Sequence, residues 1–218
     1  ASPWRTGGLF AVDRDGSNPR RLALPFGDGG ALIVRPRFTR VMATLSDGSD
    51  DIIVAANERD FDSSDVYRLN TRTARKTLLS YDNPGDVQLW ALDREGQPRA
   101  AFSSKGTVSR VFYRRDGKSA WSKWWEGDFR EPATWAHSVG YDGGIIGFGL
   151  RDRTPATLAG SRLTSAMLRL DERGQAQQVL ASREDYDVTQ PIYDPVAKKL
   201  VGAGYIGERH AVIWLEDR

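Results

Sequence analysis

Cysteine is absent from this 218-residue chain. That excludes disulfides, thiolate metal sites and cysteine nucleophiles together. It leaves the redox compartment open, because a thiol-free chain is at ease in either environment. Histidine is scarce: His137 and His210 are the only two, so a mechanism needing a histidine pair must use both. No apolar run is long enough to span a bilayer. Neither sign of charge dominates, with 31 Lys and Arg against 29 Asp and Glu. The basic residues are scattered among acids, which argues against a nucleic-acid stripe or a membrane-binding patch. The opening "ASPWRTGG" lacks the charged start and apolar stretch of a signal peptide. A leader already removed, or excision from a longer chain, fits equally well. Long stretches with apolar residues at helical spacing are also missing. "SREDYDV" (182–188) offers one turn of helix at most. There is no P-loop, no H-E-x-x-H and no C-x-x-C.

What remains is a globular composition, 39% hydrophobic and 28% charged, with length enough for one sizeable core. One layout recurs: a short strand, a polar turn, a short strand. It reads "GLFAVDRDGSNPRRLAL" (8–24), "DVYRLNTRTARKTLL" (65–79), "RVFYRRDGKSAWSKWW" (110–125) and "AMLRLDERGQAQQVL" (166–180), with "HAVIWLEDR" (210–218) as the first half of a fifth copy. Aligned on the residue entering the turn (Asp13, Asn70, Arg115, Asp171, Glu216), the copies recur about every 50 residues, a period expected of propeller blades. A second hairpin precedes each copy after the first, turning at Asp47–Gly48, Asp93–Gly96, Asp142–Gly143 and Asp194–Pro195. Glycine takes positive φ freely, Asp bonds its own backbone and Pro fixes φ, so these are turns for physical reasons.

Four-stranded antiparallel units at this period predict an all-β fold, a partial β-propeller of about four to five blades. The units fall at approximately 8–24, 30–79, 86–125, 133–181 and 188–216 within one segment, 1–218. Two strands at one end and three at the other suit a piece of a larger wheel. Its exposed edge strand predicts self-association. The seven tryptophans suit the wedges between blades. "WSKWW" (121–125) is the most crowded apolar spot, read as blade packing with one tryptophan exposed, in preference to a ligand platform.

Several motifs invite chemistry. "GAGYIG" (202–207) matches G-x-G-x-x-G, but a strand follows it where the dinucleotide fingerprint needs a helix. "AHSVG" (136–140) is one methyl from the G-x-S-x-G elbow, and Ser138 and His210 stand in hydrolase order, yet a turn and a strand follow Gly140. A small serine hydrolase using Ser138 and His210 is thus a remote alternative, and His137 belongs on an inner strand, buried or facing a channel. "DRDGSN" (13–18) resembles a calcium loop without the closing Glu. The sequence predicts no catalytic residue, no metal site and no cofactor.

The repeat unit resembles the N-terminal propeller of the prolyl oligopeptidase family of serine peptidases, in its dipeptidyl-aminopeptidase and acylaminoacyl-peptidase-like branch. "DVYRLNTRTARKTLL" is similar to that family's outer hairpin with Ala74 in place of a glycine, "LWALDREGQPRAAFS" (89–103) to its inner hairpin, and "DVTQPIYDPVAKKLVGAGYIGERHAVIWLEDR" (187–218) to its propeller's last part. Related TolB-like propellers share some of the style. The resemblance implies a non-catalytic wheel that caps an α/β-hydrolase domain absent from these residues. Such a wheel admits short peptides; some members hold the peptide's amino terminus with an acidic pair. Glu126 and Glu131 are the candidates here. A free-standing propeller that binds a protein or peptide partner is the alternative.

Overall fold

The computed structural model describes residues 8–23, 37–128, 130–131, 133–150 and 164–215. The stretch 30–36 of the second expected unit and the turn residue Glu216 lie outside them. Every regular element among the described residues is a strand. "SREDYDV" carries bends in place of a helical turn, and Asp187 accepts the Ser165 N–H at 2.6 Å.

The strands fall into successive antiparallel sheets. β1 (Leu9–Ala11) pairs with β2 (Arg20–Ala23). β3 (Thr39–Thr44), β4 (Asp51–Asp60), β5 (Ser63–Asn70) and β6 (Lys76–Leu78) follow in order as a four-stranded sheet. β7 (Val87–Leu92), β8 (Pro98–Lys105), β9 (Val108–Tyr113) and β10 (Ser122–Asp128) form the next meander, and β11 (Trp135–Val139), β12 (Ile145–Leu150), β13 (Ser165–Leu170) and β14 (Ala176–Ala181) another. These two are joined by a single parallel bridge, Leu92 of β7 to Ser138 of β11. β15 (Val188–Asp194), β16 (Lys199–Ile206) and β17 (His210–Trp214) make a three-stranded sheet.

The core lies between the sheets. Alternate side chains of a strand point to opposite faces, and both faces here are covered. Ile53 and Ala55 of β4 meet Val87, Trp90 and Ala101 of the next sheet, whereas Val54 and Ala56 meet Leu22 of β2. Ala166, Leu168 and Leu170 of β13 face Ala91, Ala100 and Tyr113; Met167 turns the other way, toward Val188 and Ala203. Two-faced burial is why these strands read as near-continuous apolar runs in the sequence.

The Asp turns form as local chemistry dictates. Asp47, Asp93, Asp142 and Asp194 each accept the backbone N–H two residues on, at 3.0, 3.1, 2.9 and 2.8 Å. Five residues before each of them, the first strand of the sheet carries a β-bulge. Met42, Gln88, His137 and Thr189 are the extra residues, skipped by the pairing of the strand alongside. Bulges bend and twist a strand and re-aim its side chains. The same device at the same place in four sheets gives the four inner strands a common curl.

Candidate functional site

The first strands β3, β7 and β11 converge on a cleft of about 520 Å³. Each pairs with the second strand of its own sheet, and β7 and β11 touch at one bridge alone. Among the described residues no further backbone ladder joins these first strands; side chains take up the Val87 N–H (Ser63), the Val87 carbonyl (Ser64) and the Val139 carbonyl (Arg94). The walls are Met42, Leu89, Trp90, Phe102 and Trp135, and the polar groups are Arg40, Asp93, Arg94, His137 and Tyr141. Below the bridge the seam between β7 and β11 opens into a second cleft of about 460 Å³, which shares Leu89, Phe102 and Trp135 with the first and adds Trp125, Leu150 and Glu131. The β11 bulge aims His137 into the upper cleft. The imidazole meets solvent there, its flank set edge-on against Phe148 at 5.3 Å. The protein crowded around the ring, with the Arg94 charge second, holds its pKa below the ordinary histidine value.

Arg94 stands at the turn end of the cleft. Its Nε donates to the Val139 carbonyl at 3.2 Å, and its guanidinium lies over the Tyr193 ring at 4.0 Å and the Tyr141 ring at 5.5 Å. Asp93, the one acid in the cleft lining, is occupied: it accepts the N–H groups of Glu95 and Gln97 and pairs with Arg99 at 3.3 Å.

The chain is similar to TolB from Acinetobacter baumannii: 12% of residues are identical, the match covers 94% of this chain and 45% of that one, and the TM-score is 0.52. This chain therefore spans less than half the length of that protein. At such identity the likeness concerns the fold. No family model and no curated relative matches the sequence. The fold is a partial β-propeller.

The propeller separates the residues that sequence motifs had put together. Ser138 is the penultimate residue of strand β11, not part of a strand-to-helix turn, and its Oγ is 3.0 Å from the Tyr193 hydroxyl. His210 is exposed at the start of β17, opposite Ile206. The "AHSVG" stretch is thus a blade strand whose buried serine is tied to a tyrosine. Glu126 is on β10, bound to Arg110 at 2.6 Å and Lys123 at 3.0 Å, whereas Glu131 lies at the lower cleft. They do not form one acidic pair. The glycines of "GAGYIG" belong to β16 and the turn after it, with Gly202 and Gly204 opposite Trp214 and Val212. "DRDGSN" closes as a hairpin turn, with Asp13 holding Arg20 at 2.7 Å. None of the three tryptophans of "WSKWW" is fully exposed: Trp121 leans on Trp90, Trp124 stacks on Tyr113 at 4.4 Å, and Trp125 walls the lower cleft.

Sequence reasoning missed Arg94, Trp135 and Tyr193. The available signal was positional. Each lies on, or one turn beyond, a first strand entering an Asp turn, and the first strands of a propeller line its axis.

Proposed function

We propose that this chain is a non-catalytic interaction domain that binds an extended peptide segment in the cleft between β3, β7 and β11. One observation carries the reading. Inner strands with no ladder on their facing edges beyond one bridge, among the described residues, border a cleft whose walls are aromatic and aliphatic. A peptide laid there gains main-chain hydrogen bonds from the strand edges and side-chain burial from the walls, the logic of strand addition. The volume is in the range of ligand sites. The similarity to TolB supports the propeller framework of this reading and leaves the partner open.

Selection of extended heptapeptides from a random display library, then chemical-shift mapping of the binders, tests it. Shifts clustered at Leu89, Trp90, Trp135 and His137 support the proposal. Binders that map to the outer strands β6, β10 or β14, or none at all, would overturn it.

A finer version rests on the sequence resemblance. In it the wheel covers a serine peptidase domain, and the cleft passes short or unfolded peptides toward that domain. In either version Ser138 is no acyl-transfer nucleophile, because its hydroxyl is buried and bonded to Tyr193. A fluorophosphonate probe is expected to leave Ser138 unlabelled in the native chain; stoichiometric labelling there would restore the hydrolase reading.

A further inference from the structure

Building on the peptide-cleft reading, we infer that Arg94 is a carboxylate-binding residue. The cleft's ligands are therefore peptides that bring an acidic group, a C-terminal carboxylate or a Glu or Asp side chain, alongside apolar side chains for Leu89, Phe102 and Trp135. Arginine is seldom held away from water without an acid beside it. Arg94 is half-buried and has no carboxylate within ion-pair distance among the described residues. Of its five donors only Nε–H is spent, on the Val139 carbonyl. The two terminal nitrogens keep their hydrogens free in a planar fork, the geometry that takes a carboxylate through two parallel bonds.

The neighbourhood fixes that fork and denies it an internal partner. Tyr193 supports the guanidinium from one side, and the Ser138 hydroxyl anchors the Tyr193 hydroxyl in turn. The nearby acids are spent elsewhere: Asp93 on Arg99, and Asp142 on Arg169 at 3.0 Å. Arg40 adds a second cation to the same cleft, also without an acidic partner among the described residues. The cleft therefore holds positive charge that no acid in its lining balances. Beside apolar walls such a charge is worth more than in open water.

Small and peptide probes test this separately. Phenylacetate and phenylacetamide differ in the carboxylate alone. In titrations followed at the Trp135 indole N–H and the His137 backbone N–H, cleft resonances that every variant retains, phenylacetate is expected to bind about tenfold more tightly than the amide, as a charge-assisted hydrogen bond implies. The Arg94→Gln variant should erase that preference, and Arg94→Lys should retain part of it; the indole N–H spectrum reports whether each variant is folded. Equal binding of acid and amide, or a preference that survives in Arg94→Gln, would overturn the assignment. Acetyl-Val-Leu-Phe as free acid against its amide, and acetyl-Val-Glu-Phe-amide against its Gln counterpart, then separate the two sources of carboxylate. Phenylacetate binding at Arg94 while none of the peptides binds would keep the anion site and sink the peptide reading of the cleft.

Discussion

At the scale of single residues, stability rests on buried charges that are fully engaged. Asp65 is 1% exposed. It accepts two bonds from Arg59 at 2.7 Å, one from Ser80 Oγ at 2.7 Å and one from Asn83 Nδ2 at 2.8 Å. Burial pushes its pKa up; the bonds from Arg59, Asn83 and Ser80 outweigh that and hold it below the usual carboxylate range. The folded state therefore binds fewer protons than the unfolded one. This contribution is present above the unfolded carboxyl pKa of about 4 and is lost as pH falls through the folded value. Asp65→Ala strands Ser80 and Asn83, while Arg59, on a half-exposed side chain, regains water. The expected loss is about 2–3 kcal/mol in urea unfolding, and an unchanged midpoint would show the network to be idle. His137 has the opposite chemistry and the same sign. Its folded pKa lies below the unfolded value, so the neutral ring adds stability above pH about 6.5 that fades as the solution is acidified. In an NMR titration His137 should titrate below that value, and Arg94→Gln should raise it part of the way.

At the scale of the element, the inner-strand bulges decide which residues reach the cleft. Deleting His137 removes the extra residue of β11, and a one-residue change of register exchanges the two faces of a strand. Trp135, now 6.2 Å from Phe148, would leave that contact. His137→Ala keeps the backbone count and should cost under about 1 kcal/mol, whereas the deletion should cost about 3 kcal/mol. Thermal unfolding of the pair checks this; equal losses would mean that the bulge has no structural role. The turns were legible in the sequence because an Asp side chain closes its own turn within two residues. The bulges were not, because a bulge is defined by the strand alongside, and nothing local in "TWAHSVG" (134–140) says which residue its partner skips. The same holds for Gly147. Its sequence context says only strand, yet an added Cβ would lie 2.5 Å from both the Trp135 carbonyl oxygen and Leu170 Cδ1. Only the folded sheet shows why a glycine stands there. The candidate site was less legible still, since its residues come from three separate meanders, and the motifs that hold some of them, "AHSVG" with His137 and "LWALDREGQPRAAFS" with Arg94, carry no sign that they meet.

At the scale of the whole molecule, each apolar cluster is shared by two sheets, so the propeller behaves as a row of interfaces. The β15–β17 sheet takes part in one such cluster, through Val188, Ala203 and Ile213. Its other face presents Val212 and Trp214, 38% and 68% exposed, over the glycines of β16, with Ile206 nearby at 54%. A sheet face of this kind resembles the buried faces elsewhere in the chain more than it resembles a solvated surface. Association of two copies through it is therefore expected. The weight-average mass in sedimentation equilibrium should rise with protein concentration, and Trp214→Glu should hold it at the monomer value. A wild-type mass independent of concentration would refute this. Salt separates the two kinds of contact argued for this protein. Apolar association through Trp214 should persist or strengthen in high salt, because the driving force is water exclusion. Carboxylate binding at Arg94 should weaken as the screening length shortens. If dimerisation weakened with salt in parallel with ligand binding, the face at β17 would be held by charge, and Trp214 would have been misread.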